Sequence, residues 1–197
     1  MKYENEFVGP NIPRMGNALT RWIGDIIIKS IGWKLEGRLA DEKQIVLIGG
    51  PHTSNWDLIL AMGTALSVGL KFSWMMKKEA FFWPLGPLWK ALGGIPIDRK
   101  AQLDVVGQMK GYLAQNEKVW IGITPDGTRA KVDRYKTGYL RIASGTNTPL
   151  FIVGIDAKRK TVVLDGLYDL TGDIEADNAA IKTYIETKYN GINPEKT

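Results

Sequence analysis

Gln44-Ile45-Val46-Leu47-Ile48-Gly49-Gly50-Pro51-His52-Thr53-Ser54-Asn55-Trp56-Asp57 is the stretch that decides the fold. Its first half is a short apolar run stopped by two glycines and a proline, the pattern of a strand buried on both faces that ends in a turn. Its second half offers Ser54 or Asn55 as a helix cap ahead of an apolar run reaching about Gly69. A buried strand passing through a tight turn into a helix is the unit from which parallel α/β sheets are assembled.

The same alternation extends in both directions. Upstream, Leu19, Trp22, Ile23, Ile26, Ile27 and Ile31 recur near a 3.6-residue period, which predicts a helix over Arg14 to Ile31. Downstream, Phe72 to Met76 reads as a strand. Ala101 to Gln115 reads as an amphipathic helix with Leu103, Val106, Met109, Tyr112 and Leu113 inward. Lys118 to Ile123 is the next buried strand, broken by Thr124-Pro125-Asp126-Gly127. Arg134 to Ser144 is a predicted helix, Leu150 to Ile155 and Thr161 to Leu164 are predicted strands, and Ile174 to Tyr189 is a closing helix. No repeat, low-complexity tract or linker interrupts the series. The expectation is an α/β fold, a single domain over residues 1–197 with a mostly parallel central sheet flanked by helices, and residues 1–35 as an N-terminal helical segment suited to membrane docking. Ligands in such sheets gather beyond the carboxyl ends of the strands.

Composition narrows the chemistry. With no cysteine, a disulfide, a thiolate metal site and a cysteine nucleophile are all excluded. One histidine excludes multi-histidine zinc sites, so the expectation is no metal, and any imidazole chemistry belongs to His52. The net charge of +5 and the pI of about 9.3 favour polyanionic partners, but no nucleic-acid-binding signature is present. Six of the seven tryptophans fall in the first ninety residues, and tryptophan suits membrane–water interfaces. The longest apolar run, Leu58 to Leu70, is 13 residues, short of the roughly 18 that a spanning helix needs. Met1 to Gly16 has no signal-peptide core. The expected location is therefore cytoplasmic and peripheral to the membrane, with no signal peptide or transmembrane helix.

Three strings can carry chemistry. In the first, His52 and Asp57 stand five residues apart. A carboxylate that holds one ring nitrogen fixes the tautomer and supports the imidazolium, which makes a general base at neutral pH. On a continuous helix the two would diverge by about 140°, so pairing requires a turn at His52 with Asp57 in the first helical turn. The second string is Gly93-Gly94-Ile95-Pro96-Ile97-Asp98-Arg99, in which Arg99 offers a planar fork to a phosphate. The third is Thr124-Pro125-Asp126-Gly127-Thr128-Arg129, a turn whose backbone N–H groups can surround an anion. Taken singly, each has a plainer reading: a surface histidine beside a helix start, or an ordinary tight turn.

Their order is more telling. His-x-x-x-x-Asp, then Gly-x-Ile-x-Ile-Asp-Arg, then x-Gly-Thr-Arg, then an apolar strand led by Pro149 resembles the glycerolipid acyltransferase family, which includes the lysophosphatidic acid acyltransferases. The likeness runs from about Val46 to Val153 and includes Tyr135-Lys136-Thr137-Gly138. It implies transfer of a fatty acyl chain from acyl-CoA or acyl carrier protein to a hydroxyl of a glycerophosphate or lysophospholipid-type acceptor. His52 would be the general base and Asp57 its orienting partner. Arg99, Asp126, Gly127, Thr128 and Arg129, with Lys78 as a further contact, would meet the acceptor's phosphate or polar head, and Pro149 would serve the acyl donor. No cofactor is implied beyond the donor itself. The implied partners are a lipid acceptor, an acyl thioester, an anionic membrane surface and acyl carrier protein as one form of donor, with no nucleic acid.

Some positions depart from the family pattern. Asp126 stands where glutamate is usual, Pro51 precedes the histidine, and the fourth block lacks its second proline. These departures leave the acceptor open. Two other readings fit the same residues: a noncatalytic lipid-binding or membrane-scaffolding protein that keeps the fold, and a thioesterase that uses water as acceptor.

Overall fold

The computed structural model describes residues 9–98 and 105–196. Among these, the elements run α1 (Ala18–Ser30), β1 (Lys34–Gly37), β2 (Gln44–Gly50), α2 (Trp56–Val68), β3 (Phe72–Lys77), α3 (Leu85–Leu92), β4 (Gly94–Ile97), α4 (Val105–Gln115), β5 (Val119–Ile123), α5 (Gly138–Thr146), β6 (Leu150–Asp156), β7 (Thr161–Tyr168) and α6 (Ile174–Lys188). The strands form one sheet in the order β1-β7-β6-β2-β5-β3-β4. Every neighbouring pair is parallel except β6 with β7. Only residues 157–160 join those two, too short a link for a crossover, so the chain must return as an antiparallel hairpin. The result is a single α/β domain with a mostly parallel sheet.

The apolar runs are explained by burial on both faces. Val46 and Ile48 of β2 share a cluster with Ile121, Ile152, Met109, Tyr139 and Ile185, beneath α4, α5 and α6. Ile45 faces the other way, with Trp120, Phe151 and Val68. Trp120 is fully buried, and its indole N–H donates to the Glu42 carbonyl at 2.9 Å, so the large ring leaves no orphaned donor. On that second face α1 lies across α2, and Ile28 and Leu60 join Ile155 and Val162. Gly24 sets the closeness of the two helices: a Cβ there would fall 2.3 Å from the Ser67 nitrogen and 2.8 Å from the Gly63 oxygen.

Several local expectations change. The first helix begins at Ala18, where Asn17 and Thr20 form a capping box, rather than at Arg14, and it ends at Ser30, so Trp33 lies outside it. Asn55 occupies the N-cap of α2 without a side-chain bond, while the Ser54 hydroxyl accepts from the Trp56 N–H. Residues Gly94–Ile97 are an edge strand, not a turn, and Pro96 is tolerated because it is at the edge. Lys34–Gly37 adds an edge strand that the sequence pattern did not mark. The fifth helix starts at Gly138, after Arg134 to Thr137 have passed as loop. The beginning of the segment read as a helix from Ala101, and the first eight residues of the N-terminal segment, lie outside the described residues.

Candidate active site

β2 delivers the chain through Gly50 and Pro51 to His52 at the carboxyl edge of the sheet. Asp57 is the second residue of α2, and its Oδ2 lies 2.9 Å from His52 Nδ1. The same oxygen accepts the backbone N–H groups of Thr53 at 2.7 Å and Ser54 at 2.8 Å. The turn needed for pairing is therefore held by the carboxylate itself. Because an ionised carboxylate can only accept, Nδ1 carries the hydrogen and Nε2 is the basic nitrogen. Asp57 is buried, and its other oxygen, Oδ1, has no hydrogen-bond partner.

The adjacent parallel strand β5 ends in the second component. Gly127 takes φ +63°, its N–H donates to the Thr124 carbonyl at 3.1 Å, and a Cβ there would meet the Lys136 ammonium at 2.7 Å. Only glycine makes this turn without strain. The Lys136 N–H donates to the Pro125 carbonyl at 2.8 Å, tying the turn to the chain before α5. Thr128 and Arg129 are exposed on the turn, whereas Asp126 is buried beneath it. Burial raises the Asp126 pKa to about 6, although the charge of His52 and the N–H groups of Gly127, His52 and Thr128 pull it down. Burial also pushes the neighbouring Tyr135 hydroxyl up, assisted by Glu186 and Asp126.

A cleft of about 450 Å³ opens between these parts, lined by His52, Thr124, Gly127, Thr128, Arg129 and Lys196. A recess of about 20 Å³ adjoins it behind His52, with Asp126, Tyr135 and Glu186 in its wall. His52 thus presents to one cleft that the cations Arg129 and Lys196 also line. Such a group can take a proton from a hydroxyl held near the cations. Among the described residues, no three of His, Asp and Glu gather as metal ligands.

The expected site residues do not all meet there. His52, Asp57, Asp126, Gly127, Thr128 and Arg129 converge. Lys78 lies on the same carboxyl edge, but at the end of β3, two strands from β2, where it pairs with Asp98 at 3.4 Å and does not line the cleft. Pro149 precedes β6 at the amino end of that strand, where its carbonyl accepts from the Val46 N–H at 2.9 Å, so it stands at the opposite end of β2 from His52. Arg99 lies outside the described residues. Lys196, brought to the cleft by the final segment, carried no signal in the sequence, and Tyr135, part of the Tyr135–Gly138 string of the resemblance, lies in the recess wall ahead of α5 and not in a helix.

A family model described as Acyltransferase matches residues 33–156, which takes in β1 through β6 together with the His52 loop and the Asp126 turn. The chain belongs to the Acyltransferase family. No curated protein sequence matches this acyltransferase. Among solved structures it is similar to the 1-acyl-sn-glycerophosphate (LPA) acyltransferase PlsC from Thermotoga maritima, with a TM-score of 0.57 at 17% identity over 86% of this chain and 78% of that one. At that identity the likeness is one of fold. No helix among the acyltransferase's described residues is long and apolar enough to cross a membrane.

Proposed function

We propose that this acyltransferase moves a fatty acyl chain from an acyl thioester, acyl-CoA or acyl carrier protein, to a hydroxyl of a glycerophosphate or lysophospholipid-type acceptor. The observation that carries the reading is the 2.9 Å contact between His52 Nδ1 and a buried Asp57 at the rim of a cation-bearing cleft. His52 Nε2 takes the acceptor's hydroxyl proton as its oxygen attacks the thioester carbonyl. When the tetrahedral intermediate collapses, the carbon–sulfur bond breaks and the imidazolium returns the proton to the departing thiolate. One ester and one thiol result, and no acyl-enzyme is needed. Asp57 keeps the tautomer and stabilises the imidazolium. The Arg129 and Thr128 side chains, exposed on the turn, meet the acceptor's phosphate, while Asp126 beneath the turn, which takes the turn's N–H groups, adds a second negative charge near the ring.

The lipid reaches the cleft from a membrane surface in this reading. Leu19, Trp22, Ile23 and Ile26 recur at helical spacing on the outer side of α1, where Trp22 is 60% exposed. Trp56, Leu58 and Ile59 are exposed at the start of α2, next to His52, and Trp83, in the aromatic segment after β3, is 82% exposed. Apolar, tryptophan-bearing patches of this kind on a basic protein fit an anionic bilayer interface. Incubating the purified protein with acyl-CoA or acyl carrier protein thioesters and a panel of lysolipids, with products identified by mass spectrometry, tests the reading. A new phospholipid ester is expected. Thiol release independent of lysolipid would mark a thioesterase, and lipid binding without product would mark a scaffold.

A further inference from the structure

The final turn of the chain is fastened onto the active site. After α6, the Asn190 carbonyl accepts from the Ala157 N–H at 2.8 Å, and its side-chain amide donates to Asp156 Oδ1 at 3.3 Å. Ile192 packs against the cluster formed by Ile28, Leu60, Ile155 and Val162. The Asn193 N–H then donates to the buried Thr53 hydroxyl at 3.0 Å, one residue beyond the proposed base. A single helical turn, Pro194–Lys196, follows and brings Lys196 to the cleft that His52 and Arg129 also line, and to the recess behind His52.

This is a strap held at two positions by hydrogen bonds and between them by apolar contact. It brings a cation to the cleft from the segment that follows α6. Among the described residues, Lys196 makes no ion pair, unlike Lys182, which is bound to Glu186 at 2.5 Å nearby. A flexible ammonium that lines the same cleft as Arg129 is suited to binding a dianion together with that guanidinium.

We infer that Lys196, positioned by the strap of residues 190–196, is a binding residue for a phosphate group of a substrate in the His52 cleft. The inference rests on the acyl-transfer reading, and the phosphate belongs either to the acceptor or to the coenzyme A of the donor.

Calorimetric titration of the whole protein with sn-glycerol 3-phosphate, and separately with coenzyme A, distinguishes the two sources. Lys196→Ala is expected to weaken one of them roughly ten- to a hundredfold, the scale of one lost charge-assisted hydrogen bond, and Lys196→Arg to recover most of it. In turnover assays the loss should appear mainly in KM for the same substrate. Weakening confined to glycerol 3-phosphate assigns the acceptor, and weakening confined to coenzyme A assigns the donor. Unchanged affinity for both, failure of the wild-type protein to bind either, or a loss that arginine does not restore would overturn the inference. His52→Ala in the same assays keeps the outcomes apart: if it still transfers acyl chains, the reaction reading fails, whatever Lys196 does.

Discussion

His52 Nδ1 and Asp57 Oδ2 are 2.9 Å apart, and that one carboxylate oxygen also receives the backbone N–H groups of Thr53 and Ser54. Asp57 therefore does two things at once: it fixes the ring tautomer and it folds the loop that carries the ring. Asp57→Ala is expected to lower kcat by about 10²–10⁴-fold. It should also reduce stability by roughly 1–3 kcal/mol, because two N–H groups, one on the buried Thr53, lose their acceptor. Steady-state kinetics and thermal denaturation check both parts, and a variant with lost activity but an unaltered melting curve would separate the two roles.

Asp126 makes a pH-dependent prediction. Its folded pKa, raised to about 6, is higher than that of an unfolded aspartate, so the folded state binds the extra proton between roughly pH 4 and 6. The buried charge thus costs stability at pH 7, and the cost is relieved as pH falls through 6. Asp126→Asn should compare more favourably with wild type at pH 7.5 than at pH 4.5 when melting temperatures are measured. An equal gap at both pH values would show that Asp126 does not titrate this way.

Gly24 poses a test in which two effects oppose. Alanine in a helix interior ordinarily gains up to about 1 kcal/mol over glycine. Here its Cβ would fall 2.3 Å from the backbone of Ser67. Separating α1 from α2 should cost about 1–3 kcal/mol, as overpacking does, so Gly24→Ala is expected to be net destabilising by chemical denaturation. A gain in stability would mean that the helices part freely.

The outer face of α1 is expected to act on membrane binding and not on folding. Replacing exposed Trp22 and Ile23 together by serine removes apolar contact worth roughly 1.5–3 kcal/mol per fully buried side chain. Binding to vesicles containing phosphatidylglycerol should weaken at least about tenfold, with the melting temperature unchanged, as followed by co-sedimentation. Equal vesicle binding would exclude this face as the docking surface.

What was legible in the sequence was whatever rested on burial and local order. The runs Gln44–Gly49 and Leu150–Ile155 read as strands because both faces are covered, while the pairing of His52 with Asp57 came from the family resemblance and not from their spacing alone. The edges were not legible. In Lys34–Gly37 only Leu35 is a large apolar residue, and Gly94–Ile97 contains Pro96, which argues against a strand except at a sheet edge. Nor could the sequence separate Asp126 beneath its turn from Thr128 and Arg129 above it, because turn residues are read by type and not by depth. Lys196 depends on the Asn193–Thr53 contact across 140 positions, and no local pattern encodes that. The resemblance assigns Pro149 to the acyl donor, and the register of β6 against β2 puts it at the opposite end of β2 from His52.

The most direct measurement of the central claim is acyl transfer by His52→Ala, using the acceptor and donor that the wild-type protein turns over. Loss of product by about 10²–10⁴-fold, with an unchanged circular dichroism spectrum and melting temperature, is the result predicted for removal of a general base. Wild-type rates from a folded His52→Ala protein would contradict it.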